Sequence, residues 1–153
     1  MAKPTGNLRS KVNSVVDRQF KLYSKIVYIE VIKNFNNEVE ADGKTKWKRL
    51  RKATKKDRRR KGYDTSSKLQ KNGTLKKSIK VFYDGIKIRI KSDLVYAETH
   101  QNGMINPTPG AKDIPARPFL DFPHSCNRNG KHYKKHLIKP LAKAVKKIIK
   151  DLA

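Results

Sequence analysis

Val12, Val16, Phe20, Tyr23, Val27, Val31 and Phe35 recur at spacings of four and three, and this pattern limits the fold more than any other in the chain. Such spacing marks one face of an α-helix. Val15, Leu22, Ile26 and Ile29 widen the apolar stripe. The pattern predicts one helix of about two dozen residues, roughly 36 Å long. Ser10 or Asn13 is placed to cap it, with Met1 to Arg9 as an arm in front. The polar cluster Asn34, Asn36 and Asn37, followed by Asp42-Gly43, ends it. The β-branched run Ile26 to Ile32 favours a strand as the rival reading. A chain of 153 residues is one ordinary domain. A helix this long in it must be the scaffold for everything else.

What packs on the scaffold is legible further on. Ile79, Val81 and Tyr83 alternate up to Asp84-Gly85, and Ile86, Ile88 and Ile90 alternate after it. Two period-2 runs around Asp-Gly predict a β-hairpin with a type I′ turn. The six named residues form its inward face, and Lys80, Lys87, Arg89 and Lys91 point out. Leu137, Leu141, Val145, Ile148 and Leu152 predict an amphipathic C-terminal helix with Pro140 in its first turn. Short helical turns are expected at Ser66 to Lys71, closed by Asn72-Gly73, and after Thr74. Another is expected from Val95 to Gln101, ended by Asn102-Gly103. The expected fold class is α+β: a small antiparallel sheet centred on the hairpin, packed on the long N-terminal helix and the C-terminal helix.

Charge separates this chain from an ordinary domain. Its formal net charge is +25, which opposes compaction and calls for counter-charge from nucleic acid, acidic protein or, third, an anionic membrane surface. Lys44 to Lys61 holds twelve Lys/Arg against one acid, Asp57. Within a basic arm or loop at about residues 41–72, Lys48, Arg49, Arg51, Lys52, Lys55, Lys56, Arg58, Arg59, Arg60 and Lys61 are the candidates for contact with nucleic acid or an acidic partner. Thr54 and Asp57 suggest a short basic helix from about Lys55 to Lys61. A solvated loop is the alternative. Phosphate contacts of this kind carry no base specificity. Trp47 is either a core or interface anchor or a platform for a base.

Reactive chemistry finds little to stand on. No carboxylate pair, G-x-S-x-G or Gly-rich phosphate loop surrounds Thr99-His100-Gln101, so His100 reads as a packed or interface histidine. His124, Cys126, His132 and His136 are possible metal ligands, but His-x-Cys is a cramped pair, and a polar linker entering a helix is the simpler reading. The one cysteine excludes an intrachain disulfide framework. The polar start and the lack of about 18 consecutive apolar residues predict neither a secretory signal nor a membrane-spanning helix.

Ile114-Pro115-Ala116-Arg117-Pro118-Phe119-Leu120 is the most constrained local sequence. Each proline fixes its own φ and pushes the preceding residue toward extended geometry. A stiff strip with one cation and one aromatic suits docking against another surface, as an added strand or along the sheet edge. The Pro/Gly-rich loop Met104 to Asp113 leads into it, a long loop with contact to a neighbour as its natural role.

Four blocks stand in order: Trp47-Lys48-Arg49-Leu50 with Thr54; Leu69 to Ile79; Val95 to Gly103; and Ile114 to Leu120. Over about Trp47 to Leu120 they resemble the phage virion morphogenesis family, the Mu-like tail completion proteins. The resemblance implies a non-enzymatic tail completion or head–tail joining protein without cofactor or metal. It implies a homo-oligomeric ring, hexamer or dodecamer, in the neck or at the top of the tail. The neighbours would be portal and adaptor or tail-tube and terminator proteins, with double-stranded DNA passing through the channel and no membrane. The place implied is the virion, assembled in the host cytoplasm. The expected interface residues are Trp47, Leu50, Tyr96, His100, Gln101, Ile114, Pro115, Arg117, Pro118, Phe119 and Leu120, with Arg117 as pairing cation and Phe119 as anchor. A free nucleic-acid-binding packaging or regulatory factor is the alternative that charge alone supports. A nuclease would need a carboxylate or histidine cluster that thirteen scattered Asp/Glu do not assemble.

Overall fold

A computed structural model describes residues 6–105 and 113–151. The front of the expected arm, most of the loop before the strip, and Leu152 lie outside the described residues.

The fold is α+β, and the scaffold helix is longer than its stripe required. α1 runs from Gly6 to Asn37, about 48 Å at 1.5 Å per residue. The helix starts ahead of both expected caps, Ser10 and Asn13, and Ile26 to Ile32 is helical rather than a strand. The second half of α1 carries its buried residues Tyr23, Val27, Val31 and Phe35, with Phe20 packed half-buried just ahead of them. The helix stops as the polar cluster predicts. Glu38 takes a left-handed conformation (φ 54°), and the chain doubles back through an isolated antiparallel bridge, Val39 to Lys46. Asp42 holds this turn by accepting from the Lys44 and Thr45 amides at 2.8 Å each and from the Thr45 hydroxyl at 2.6 Å. These hydrogen bonds lower its carboxyl to about 2.

α2 (Lys52–Arg60) is the basic helix, and α3 (Thr74–Ser78) is a single turn. α2 starts three residues earlier than expected. Its first flanking residue is Arg51, which makes no side-chain cap, so Thr54 lies inside the helix rather than at its end. Gly73, not Thr74, flanks α3. Ser66 to Lys71 forms no helical turn.

β1 (Ile79–Asp84) and β2 (Lys87–Ser92) pair antiparallel, with Val81 opposite Ile90 and Tyr83 opposite Ile88. Asp84 pairs with Lys87, so the two-residue loop is Gly85-Ile86. Gly85 has φ 58° and Ile86 is not at positive φ, which fits glycine at the first central position of a II′ turn rather than the expected I′. Ile86 therefore leaves the inward face and is exposed. Ile79 is buried, and Val81, Ile88 and Ile90 pack half-buried against the core.

α4 (Ala97–Asn102) begins two residues later than the pattern suggested, leaving Val95 outside the helix and 97% exposed. The strip after it adds no strand to the hairpin. Among the described residues its ladder contact is an isolated bridge from Ile114 to Met104. After a 3-10 turn (His124–Cys126), α5 (Lys131–Tyr133) passes through a π-helical turn (Lys134–Ile138) into α6 (Lys139–Lys150) without a break. Pro140 sits in the first turn of α6, as expected, but α6 continues the helical run ahead of it. It has no N–H for the carbonyl four residues back, and its ring crowds that carbonyl; the regular ladder gives way to the widened turn just upstream. This run lies on α1 and buries Leu137. The Tyr23 hydroxyl donates to the Cys126 carbonyl at 2.6 Å, tying α1 to the 3-10 turn.

Candidate functional site

Three of the four sequence blocks meet around the end of α1. Phe35, in the last turn of α1, is the hinge. Its ring makes edge contacts with Trp47 at 5.5 Å and with Phe119 at 5.7 Å between centroids. Trp47 and Phe119 are 2% and 4% exposed. The anchors expected to reach a neighbour are therefore inside the protomer, where burying large aromatic surface outweighs any use on the outside. Their assignment as direct interface residues is corrected accordingly. Leu120 packs half-buried against the same cluster.

Hydrogen bonds lock the α4 block to the strip. The Arg117 amide donates to the His100 carbonyl at 2.8 Å. Gln101 Oε1 accepts from the Phe119 and Leu120 amides, both at 2.8 Å, and its Nε2 donates to Asp121. Gln101 satisfies backbone that the two prolines keep out of any sheet. Arg117 is 5% exposed, and its Nε donates to the Lys48 carbonyl at 3.2 Å, which joins the strip to the tryptophan block. Gly103 leaves α4 at φ 76°; a Cβ there would lie 2.7 Å from the Ala116 nitrogen and 2.8 Å from the Ile114 oxygen. Only glycine meets both demands.

The loop leading into the second block is tied in by charged side chains. The carboxylate of Glu38 takes both the amide and the ammonium of Lys68. Arg58 is buried. It donates to the carbonyls of Asp64 at 3.1 Å, Ser67 at 2.6 Å and Lys68 at 2.9 Å. It is a structural cation, and its expected role toward nucleic acid or an acidic partner is corrected. The other nine candidate cations, from Lys48 to Lys61, are exposed. Arg60 and Lys61 share Asp57 at the surface, where such pairs are worth little.

Between α2 and the strip these contacts leave a cleft of about 350 Å³. Leu50, Ala53, Thr54, Ile114 and Pro115 form part of the wall. Arg51, Arg58, Lys68 and Arg117 bring cations to it, and Asp113 is the acid among the lining residues. His100 also lines it; its Nδ1 is buried without a hydrogen-bond partner among the described residues. Burial, and then the neighbouring Arg117 and Arg58, hold this imidazole below its ordinary 6.5. The same two causes, burial and then Arg58, lower Arg117. The uncapped first turn of α2 lies at the cleft too. Tyr96 packs edge-on against His100 at 6.0 Å and is partly exposed; Pro118 is half-buried.

The structure thus joins Trp47, Leu50, Tyr96, His100, Gln101, Ile114, Pro115, Arg117, Phe119 and Leu120 in one neighbourhood. The basic row of α2 forms a separate outward face. Sequence reasoning missed Phe35, Glu38 and Lys68 as members of this assembly. Phe35 was visible only as the last point of the α1 stripe, and nothing local marks the pairing of Glu38 with a lysine as distant in sequence as Lys68. The possible ligands downstream do not converge: among the described residues no three His, Cys, Asp or Glu side chains form a metal-holding group. His132 and His136 stack at 5.6 Å, and His132 Nε2 lies 3.6 Å from Glu30. Among the described residues no helix is long and apolar enough to cross a membrane.

No curated protein and no solved structure matches the chain. The model of the phage virion morphogenesis family matches residues 27–132. That span runs from the buried half of α1 to the start of the C-terminal helix, and contains all four blocks and every residue lining the cleft. On a match over more than half of its length, this chain belongs to the phage virion morphogenesis family.

Proposed function

We propose that the chain is a non-enzymatic structural subunit of a tailed-phage particle. It acts at tail completion or head–tail joining as a ring of identical copies, hexameric or dodecameric. Its neighbours would be portal and adaptor or tail-tube and terminator proteins, in the tail or neck. The observation that carries the reading is the family match, whose residues form the interlocked body around Phe35. A subunit held by such cross-ties keeps its shape while its outer faces meet neighbours. The exposed cations of α2 would then face DNA in the channel, where phosphate neutralisation offsets a net charge of +25.

Electron microscopy of lysates from a phage lacking the gene tests this. Heads and tails left unjoined, or tails of irregular length, are expected, with DNA-filled heads present. A free packaging or regulatory factor is the second reading, favoured by the basic face of α2. It predicts empty heads or altered expression with normal joining, and that result would overturn the first.

A further inference from the structure

The cleft between α2 and the strip and the exposed segment just before α4 have complementary chemistry. The cleft joins aliphatic wall (Leu50, Ile114, Pro115) to four cations (Arg51, Arg58, Lys68, Arg117), which outnumber its one lining acid, Asp113, and to the uncapped start of α2. A helix start without a side-chain cap favours a carboxylate. His100 adds a buried ring nitrogen without a partner among the described residues. A duplex backbone suits this place poorly, since a rigid rod of phosphates cannot reach a guanidinium that is 5% exposed. A protruding side chain can.

The matching knob is Val95 to Glu98. Val95 is 97% exposed, an apolar side chain left in water, whereas the adjoining Tyr96 turns its ring edge-on to His100. Glu98 is exposed and engages in no ion pair among the described residues, whereas Asp57 and Asp93 are each held by two cations. Val95 and Glu98, the working side chains of the knob, lie on the side of this short helix away from the cleft. His100 lines the cleft, Glu98 lines the separate hollow beside Val95, and two residues apart on a helix is about 200° of rotation. A protrusion on one side and its receptor on the other cannot satisfy each other within a protomer. Between copies they would make a head-to-tail contact, the kind that closes into a ring.

We propose that the Val95–Glu98 knob of one copy enters the cleft of the next, with Glu98 against Arg51 and Val95 against the aliphatic wall. The proposal rests on the ring reading above and names its contact.

The test uses exposed residues, so the fold is kept; circular dichroism of each variant checks this. Glu98→Arg and Arg51→Glu are each expected to lower incorporation into particles by an order of magnitude or more, and the two together to restore it. Val95→Cys mixed with Ala53→Cys, carried on separately tagged copies of the purified protein, is expected to give the mixed disulfide under oxidation in preference to either homodimer. Normal incorporation of both single variants, or a double variant no better than they are, would overturn the proposal. So would a disulfide that forms from Ile86→Cys at the hairpin tip instead of from Val95→Cys. If the wild-type chain proves absent from particles, the proposed function falls on that result, while the disulfide test on purified protein still decides the contact.

Discussion

Phe119 changes meaning between sequence and structure. Flanked by a proline and a leucine it reads as an exposed anchor; in the fold it closes the core over Phe35. Phe119→Ala should therefore cost about 3–5 kcal/mol of stability. Urea denaturation would show this as a lower midpoint with an unchanged slope, and a midpoint equal to wild type would restore the exposed-anchor reading. The ambiguity is physical: extended backbone presents alternate side chains to opposite sides, and local sequence does not say which side is inside. His100 gives a second prediction. Its folded pKa is lowered by burial and by Arg117 and Arg58. As pH falls below 6.5 the unfolded chain takes up a proton that the folded chain refuses, so stability falls. His132 is shifted the same way, also by burial first. His100→Gln should flatten the loss of stability between about pH 7 and 5 only in part, as measured by melting temperature against pH. An unchanged profile would mean that His100 is not held neutral.

Elements were legible where one period dominates. The α1 stripe, the hairpin and the C-terminal helix all form where their spacing predicts, because each gathers its apolar residues on one face. Their limits were less legible. The hairpin turn moves by one residue because Gly85, alone able to take φ 58° freely, occupies the first central position. The charge run was the least legible segment. Its helix, α2, has only Arg58 turned inward, and it is held to the body by three carbonyls of the following loop, a partner set that no sequence pattern announces. Arg58→Ala should raise amide hydrogen exchange across residues 58–69 and lower stability by on the order of 3 kcal/mol. Arg59→Ala, one position away and exposed, should do neither. Equal effects would mean that charge density, not the buried guanidinium, orders this segment. Gly103→Ala should also destabilise, by more than about 1 kcal/mol, since it drives a methyl into the strip at a left-handed position.

At the scale of the molecule the chain divides its cations between two tasks. Arg58, Lys68 and Arg117 cross-tie the body, and the exposed row from Lys48 to Lys61 leaves a strongly positive face. Replacing Lys55, Lys56, Arg59 and Arg60 by Gln should reduce the salt dependence of binding to duplex DNA, by about 0.9 in log–log slope for each phosphate that is no longer neutralised. Filter binding across a salt series measures this, and an unchanged slope would move the DNA-binding face elsewhere. Whether the chain is a permanent part of the particle is read by quantitative mass spectrometry of purified virions, with portal and tail-tube proteins as internal standards. A tail-completion or connector subunit will be present at a fixed count on the scale of one ring, about six or twelve copies per particle. Its absence from the virion would contradict a permanent structural role and leave the free DNA-binding factor as the better reading of the charge.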